Sequence, residues 1–133
     1  MFFWLYVLFL ALHGGAHMVY AAFARGWMTP EKGPNWTGYS WLFTRFFGES
    51  GTREIGTWIF YLAIGLFVIA ALSLALRADW ALNAISVAAI YSTLAILVMW
   101  DGKFSQIVDK GLIGILINIA LLAGLGIFNW PKF

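Results

Sequence analysis

The chain has 133 residues, of which 62% are apolar, 19% aromatic and only 11% charged; so few charged side chains cannot cover a water-soluble domain, and the composition is that of a polytopic membrane protein. A net charge of +2 with no basic run argues against a nucleic-acid partner, and the absence of cysteine excludes disulfides, thiolate metal sites and thiol redox chemistry. Because each span needs about 20 residues, the length accommodates a single transmembrane domain, 1–133, built as an all-α bundle of roughly four helices.

Residues 2–24 form the first predicted span, an almost uninterrupted apolar run ended by Arg25, Gly26 and Pro30. A cleaved signal peptide is the competing reading. Against it, no positively charged leader precedes the run, and His13 and His17, the two histidines of the chain, interrupt its middle. Residues 25–54 then gather glycine, proline and charge, and leave the membrane core. Within them Tyr39, Leu42, Phe43, Phe46 and Phe47 share one helical face around Arg45, while Trp36 and Trp41 add further aromatic surface. The predicted element is a short interfacial helix, with a loop folded over the bundle mouth as the alternative.

The second span is predicted over 55–76 and the third over 80–100, joined so tightly that they form an antiparallel hairpin. On the third, Ala81, Ala84, Ala88, Ser92 and Ala95 make a stripe of small residues that admits a neighbouring backbone. Asn83, Ser86 and Thr93 form a polar seam beside it. The fourth span covers 110–130 and carries a central Asn118. With four spans, Arg25, Lys32, Arg45, Arg53, Lys103 and Lys110 fall on one side, against Arg77 and Lys132 on the other. The positive-inside rule then places both termini outside the cytoplasm.

Depth can be compared between helices from a rise of about 1.5 Å per residue. His17, Tyr61, Thr93 and Asn118 each lie about 10–12 Å from the same end of the bundle. A polar layer of these residues is therefore expected, with His13 one turn deeper. On the first helix Tyr6, His13, His17 and Tyr20 share a face. Lipid-facing imidazoles would leave polar atoms unsatisfied at a cost of several kcal/mol, so that face is expected to point inward.

Several roles compete for the histidine pair. Two histidines four residues apart can ligate one metal ion, but no Cys, Asp or Glu lies at their depth to complete a site, so no metal is assigned. Haem or chlorophyll needs one axial imidazole, and Gly14, Gly15 and Ala16 would make room for a flat macrocycle. A quinone would take hydrogen bonds from histidine and tyrosine. A purely structural role, hydrogen bonding across helices, weighs as much as these together. Asp101 and Lys103 form a second constellation at the membrane boundary, where they set topology and cap the next helix, or gate a pocket opening toward the histidines.

Leu12-His13-Gly14 followed by His17, Gly56 with Trp58, and Trp100-Asp101-Gly102-Lys103-Phe104 with Ile107 resemble motifs of small four-helix bacterial membrane proteins, often labelled DoxX-like or permease-like. That resemblance implies a bacterial inner-membrane location and marks His13, His17, Asp101 and Lys103 as the positions to test. The expected function is that of a non-catalytic accessory subunit packing against a larger membrane complex or another copy of itself. The alternative is a redox or cofactor protein holding haem, chlorophyll or quinone near His13, His17, Tyr61, Thr93 and Asn118. A small oligomeric transporter is third.

Overall fold

The computed structural model describes residues 2–28 and 38–128. Trp36, Lys32, Lys132 and the expected end of the fourth span at 129–130 lie outside them. The described residues form α1 (Phe2–Ala24), α2 (Thr44–Ala75), α3 (Ala81–Met99) and α4 (Ile113–Phe128), the last entered through a π-helical turn at Val108–Leu112. Four helical segments are long and apolar enough to cross a membrane. The architecture is a four-helix bundle, and the chain reads as an integral membrane protein.

The helix ends follow from local chemistry. Past Ala24 the chain turns through Gly26 at φ 72°, where Gly26 N–H bonds Phe23 O at 3.1 Å and Trp27 N–H bonds Ala22 O at 2.9 Å. This pair of bonds closes the last carbonyls of α1 and requires a left-handed residue, which glycine supplies without strain. At the end of α2 the same pattern is made around Arg77, which adopts φ 53° and lays its guanidinium over the Phe3 ring at 5.4 Å.

The segment before α2 closes the mouth of the bundle. Ser40 Oγ donates to Val98 O at 2.6 Å and Trp41 Nε1 to Leu97 O at 2.8 Å, while Trp41 N–H bonds Trp100 O at 2.8 Å. The orphan carbonyls at the end of α3 are thus satisfied by this segment. Only one helical turn, from Thr44, precedes the kink at Gly48 (φ 66°, ψ −177°). The expected interfacial helix is therefore a folded-over cap running through one turn into α2, because Gly48 breaks the helical geometry that a longer aromatic face needs.

Salt-bridge contact between Arg25 and Glu54 at 3.6 Å joins α1 to α2 at one end. Arg77 over Phe3 joins them at the other, so successive helices run antiparallel. Each helix packs extensively on the next in sequence, whereas α1 and α4 meet more sparsely, through contacts such as His13–Asn118, and flank an open seam. Two apolar clusters fill the bundle. One joins Leu10, Phe67, Leu74, Ile85 and Leu121, and the other Ala21, Phe23, Phe60 and Met99. As expected of the small-residue stripe, Ala81, Ala88, Ser92 and Ala95 are buried. Between the two clusters lies a polar layer.

Candidate functional site

That layer is built from α1, α3 and α4. His13, His17, Ser92 and Asn118 are all buried, none more than 7% exposed. Tyr6 is buried with them on the same face of α1, so the predicted polar face does point inward. Phe67 of α2 walls the pair, with its ring centroid 4.8 Å from that of His13 and 5.8 Å from that of His17.

The hydrogen bonds run in one direction. His17 Nδ1 lies 3.1 Å from the His13 carbonyl oxygen, which only accepts, so the proton of a neutral His17 sits on Nδ1. Its Nε2 is then an acceptor and takes the Ser92 hydroxyl at 2.7 Å. Ser92 Oγ in turn accepts from Asn118 Nδ2 at 2.9 Å, and Asn118 Oδ1 accepts from His13 Nε2 at 2.9 Å. The two rings are consequently opposite tautomers. Every polar atom of the circuit is used except His13 Nδ1.

Among the described residues, no sealed side-chain nitrogen or oxygen lacks a hydrogen bond. His13 Nδ1 therefore keeps an open face, and the space that His13 borders is a cavity of ≈ 340 Å³ in the α1–α4 seam. Its wall includes His17, Tyr20, Phe23, Asp109, Gly111 and Ile117. Tyr20 Oη donates to Asp109 O at 3.4 Å, a long bond. Farther along the seam Ile117 also borders a second, apolar cavity of ≈ 350 Å³, lined with Tyr6, Phe9, Ala120, Leu121 and Gly124.

Depth was legible for this site, but azimuth was not. Thr93 turns away from the layer and donates to Ala89 O of its own helix at 2.9 Å, while Ser92, read from sequence only as a packing residue, makes the contacts assigned to Thr93. Tyr61 is half-buried beside the Phe60 cluster and packs edge-on against Trp58 at 6.0 Å, apart from the histidine circuit. The signal for Ser92 was its place on the inward alanine stripe at the depth of His17.

A tetrapyrrole does not fit these residues. Both imidazole Nε2 atoms already serve Asn118 and Ser92. The space expected beside Gly14 is filled, since a Cβ there would sit 2.5 Å from Phe67 Cβ, and Gly15 faces open surface. The cavity of ≈ 340 Å³ also falls at the small end of ligand pockets, which span roughly 300–1,000 Å³. Among the described residues no group of three or more His, Cys, Asp or Glu side chains is placed to hold a metal ion.

Asp101 and Lys103 are adjacent in the connection from α3 to α4, but the cation paired with Asp101 is Lys110. Lys110 Nζ lies 2.7 Å from Asp101 Oδ2, with the two side chains only 5% and 3% exposed. Lys103 contributes its backbone, whose N–H bonds Asp101 Oδ1 at 3.0 Å and whose carbonyl accepts from Trp100 Nε1 at 3.1 Å; its side chain is exposed. Burial alone would push the Asp101 pKa up. The Lys110 hydrogen bond, the Lys103 N–H and the charges of both lysines outweigh burial and hold the carboxyl below its ordinary range. Comparison with protein-family models, curated proteins and solved structures found no match to the chain.

Proposed function

We propose that the protein is a small integral-membrane binding protein that holds a lipid-soluble, single-ring molecule of the quinone–quinol class, in its hydroxyl-bearing form, in the α1–α4 seam. The observation that carries this reading is His13, whose Nδ1 is unsealed and without a protein partner, on the wall of a cavity that shares Ile117 with a second, apolar one. A ring with a short polar edge and an apolar tail matches that division, and entry from the side suits a ligand dissolved in the bilayer. The test is titration of the protein in lipid nanodiscs with a short-chain benzoquinol kept reduced, followed by isothermal calorimetry. Saturable binding that weakens at least about tenfold in His13→Leu is expected. Linear, unsaturable partitioning unchanged in the variant would reject the site.

A second reading, an accessory subunit of a larger membrane complex, is supported by α4. Of the four spans it is the least covered, with 22% of its apolar window buried, and Leu116 and Ile119 stand more than half exposed. In both readings the end bearing Arg25, Arg53, Lys103 and Lys110 faces the cytoplasm of a bacterial inner membrane and the termini face away from it.

A further inference from the structure

We propose that His13 Nδ1 is the recognition point of the seam cavity and that it reads a hydrogen-bond donor, so that the site takes a lipid-soluble molecule by a hydroxyl group. The inference rests on the reading of the cavity as a binding site, and adds which hydrogen-bonding group the ligand must present there.

The direction is set within the hydrogen-bond circuit and not by the ligand. One backbone oxygen, that of His13, accepts from His17 Nδ1 and so fixes the His17 tautomer. Through Ser92 and Asn118 the same sense is passed to His13, whose proton is held on Nε2 by Asn118 Oδ1. The nitrogen left unsealed and without a protein partner, on a residue that lines the cavity, is a bare lone pair. A ligand carbonyl or ether oxygen there would set lone pair against lone pair, whereas a hydroxyl donates to it. Reversing the preference would require turning the Asn118 amide and the Ser92 hydroxyl together, and would leave a second proton on His17. A buried imidazolium in the bundle centre is costly. The other cavity groups do not compete for this role: both His17 nitrogens are occupied, Tyr20 offers a hydroxyl to Asp109 O, and the Asp109 carboxyl stands exposed at the mouth.

The donor can belong to a phenolic ring or to a lipid alcohol, and matched probes separate them. Full-length protein in nanodiscs is titrated with para-pentylphenol, with its methyl ether, and with a saturated alcohol of equal length. The phenol is expected to bind at least about tenfold more tightly than the ether, the size of one buried hydrogen bond replaced by an unpaired acceptor. If the alcohol matches the phenol, hydroxyl recognition stands with a lipid alcohol as its source; if it binds as weakly as the ether, the source is a ring. In Asn118→Leu, where nothing holds the His13 proton on Nε2, the phenol-to-ether ratio is expected to fall toward about one. In Asp109→Asn the ratio is expected to persist, and its loss there would move recognition to the mouth and overturn the assignment.

Unmodified protein supplies a readout that needs no variant. NMR of isotope-labelled imidazoles should show His13 protonated on Nε2 and His17 on Nδ1, with phenol shifting His13 Nδ1 and the ether leaving it. A His13 proton on Nδ1, or equal binding of phenol and ether, overturns the inference while the cavity remains a binding site. Failure of all three probes to bind removes the cavity reading itself.

Discussion

The Ser92 hydroxyl is the joint of the histidine circuit, donating to His17 and accepting from Asn118. Ser92→Ala would leave both partners short of a bond in a medium that offers no water, and should cost about 1–2 kcal/mol, measured by reversible unfolding in detergent. Because both variants remove the same Ser92–Asn118 hydrogen bond, Ser92→Ala and Asn118→Leu should be non-additive by more than about 0.5 kcal/mol. Strict additivity would show that the two side chains do not act as one network. The depth of this network was readable because helical rise converts residue counts into distance. Its membership was not, because Ser92 and Thr93 differ by about 100° around α3 and both are small enough to read as packing.

For the helices, glycine placement separates packed from open faces. A Cβ at Gly14 would meet Phe67 Cβ at 2.5 Å, whereas one at Gly15 meets nothing within 4 Å. Gly14→Val should therefore separate α1 from α2 and cost about 1–3 kcal/mol, while Gly15→Val should change stability by less than about 0.5 kcal/mol. Equal effects in thermal melts would mean that α1 is rotated from the described packing. The four spans were legible because long apolar runs leave few alternatives in a bilayer. The entry to α4 was not, since Gln106 at φ 56° and Gly111 at φ 113° depend on tertiary contact: a Cβ on Gly111 would meet Ile96 Cγ2 at 2.5 Å.

At the same entry, the Asp101–Lys110 pair ties the end of α3 to the start of α4. From sequence Lys110 read as a topology charge, because nothing in its spacing shows that the π-helical turn buries it. The folded pKa of Asp101 is held below its ordinary 3.8. Its contribution is thus complete above that value and is lost as pH falls through the depressed folded value. Melting midpoints should be flat with respect to this group near neutrality and fall in acid, and the acid fall should shrink in Asp101→Asn. Lys110→Met, which strands a buried carboxylate, should cost about 3–5 kcal/mol, whereas replacing both partners with apolar residues should recover much of that loss.

Seen as one molecule, the bundle has a basic end and an end with few charges, and its cysteine-free sequence makes the orientation simple to measure. In the proposed orientation Asp79→Cys should react with an impermeant thiol reagent in intact cells, and Lys103→Cys only after permeabilisation. The reverse pattern would invert the assignment. The open seam also bears on the order in which the protein is made. His13 and His17 leave the ribosome first, their partner Ser92 much later and Asn118 last, so during insertion α1 enters the bilayer with its imidazoles unsupported. A nascent chain halted after α3 can satisfy His17 but not His13. Completion of the last helix therefore marks a discrete step in biogenesis, the one at which His13 gains its partner Asn118.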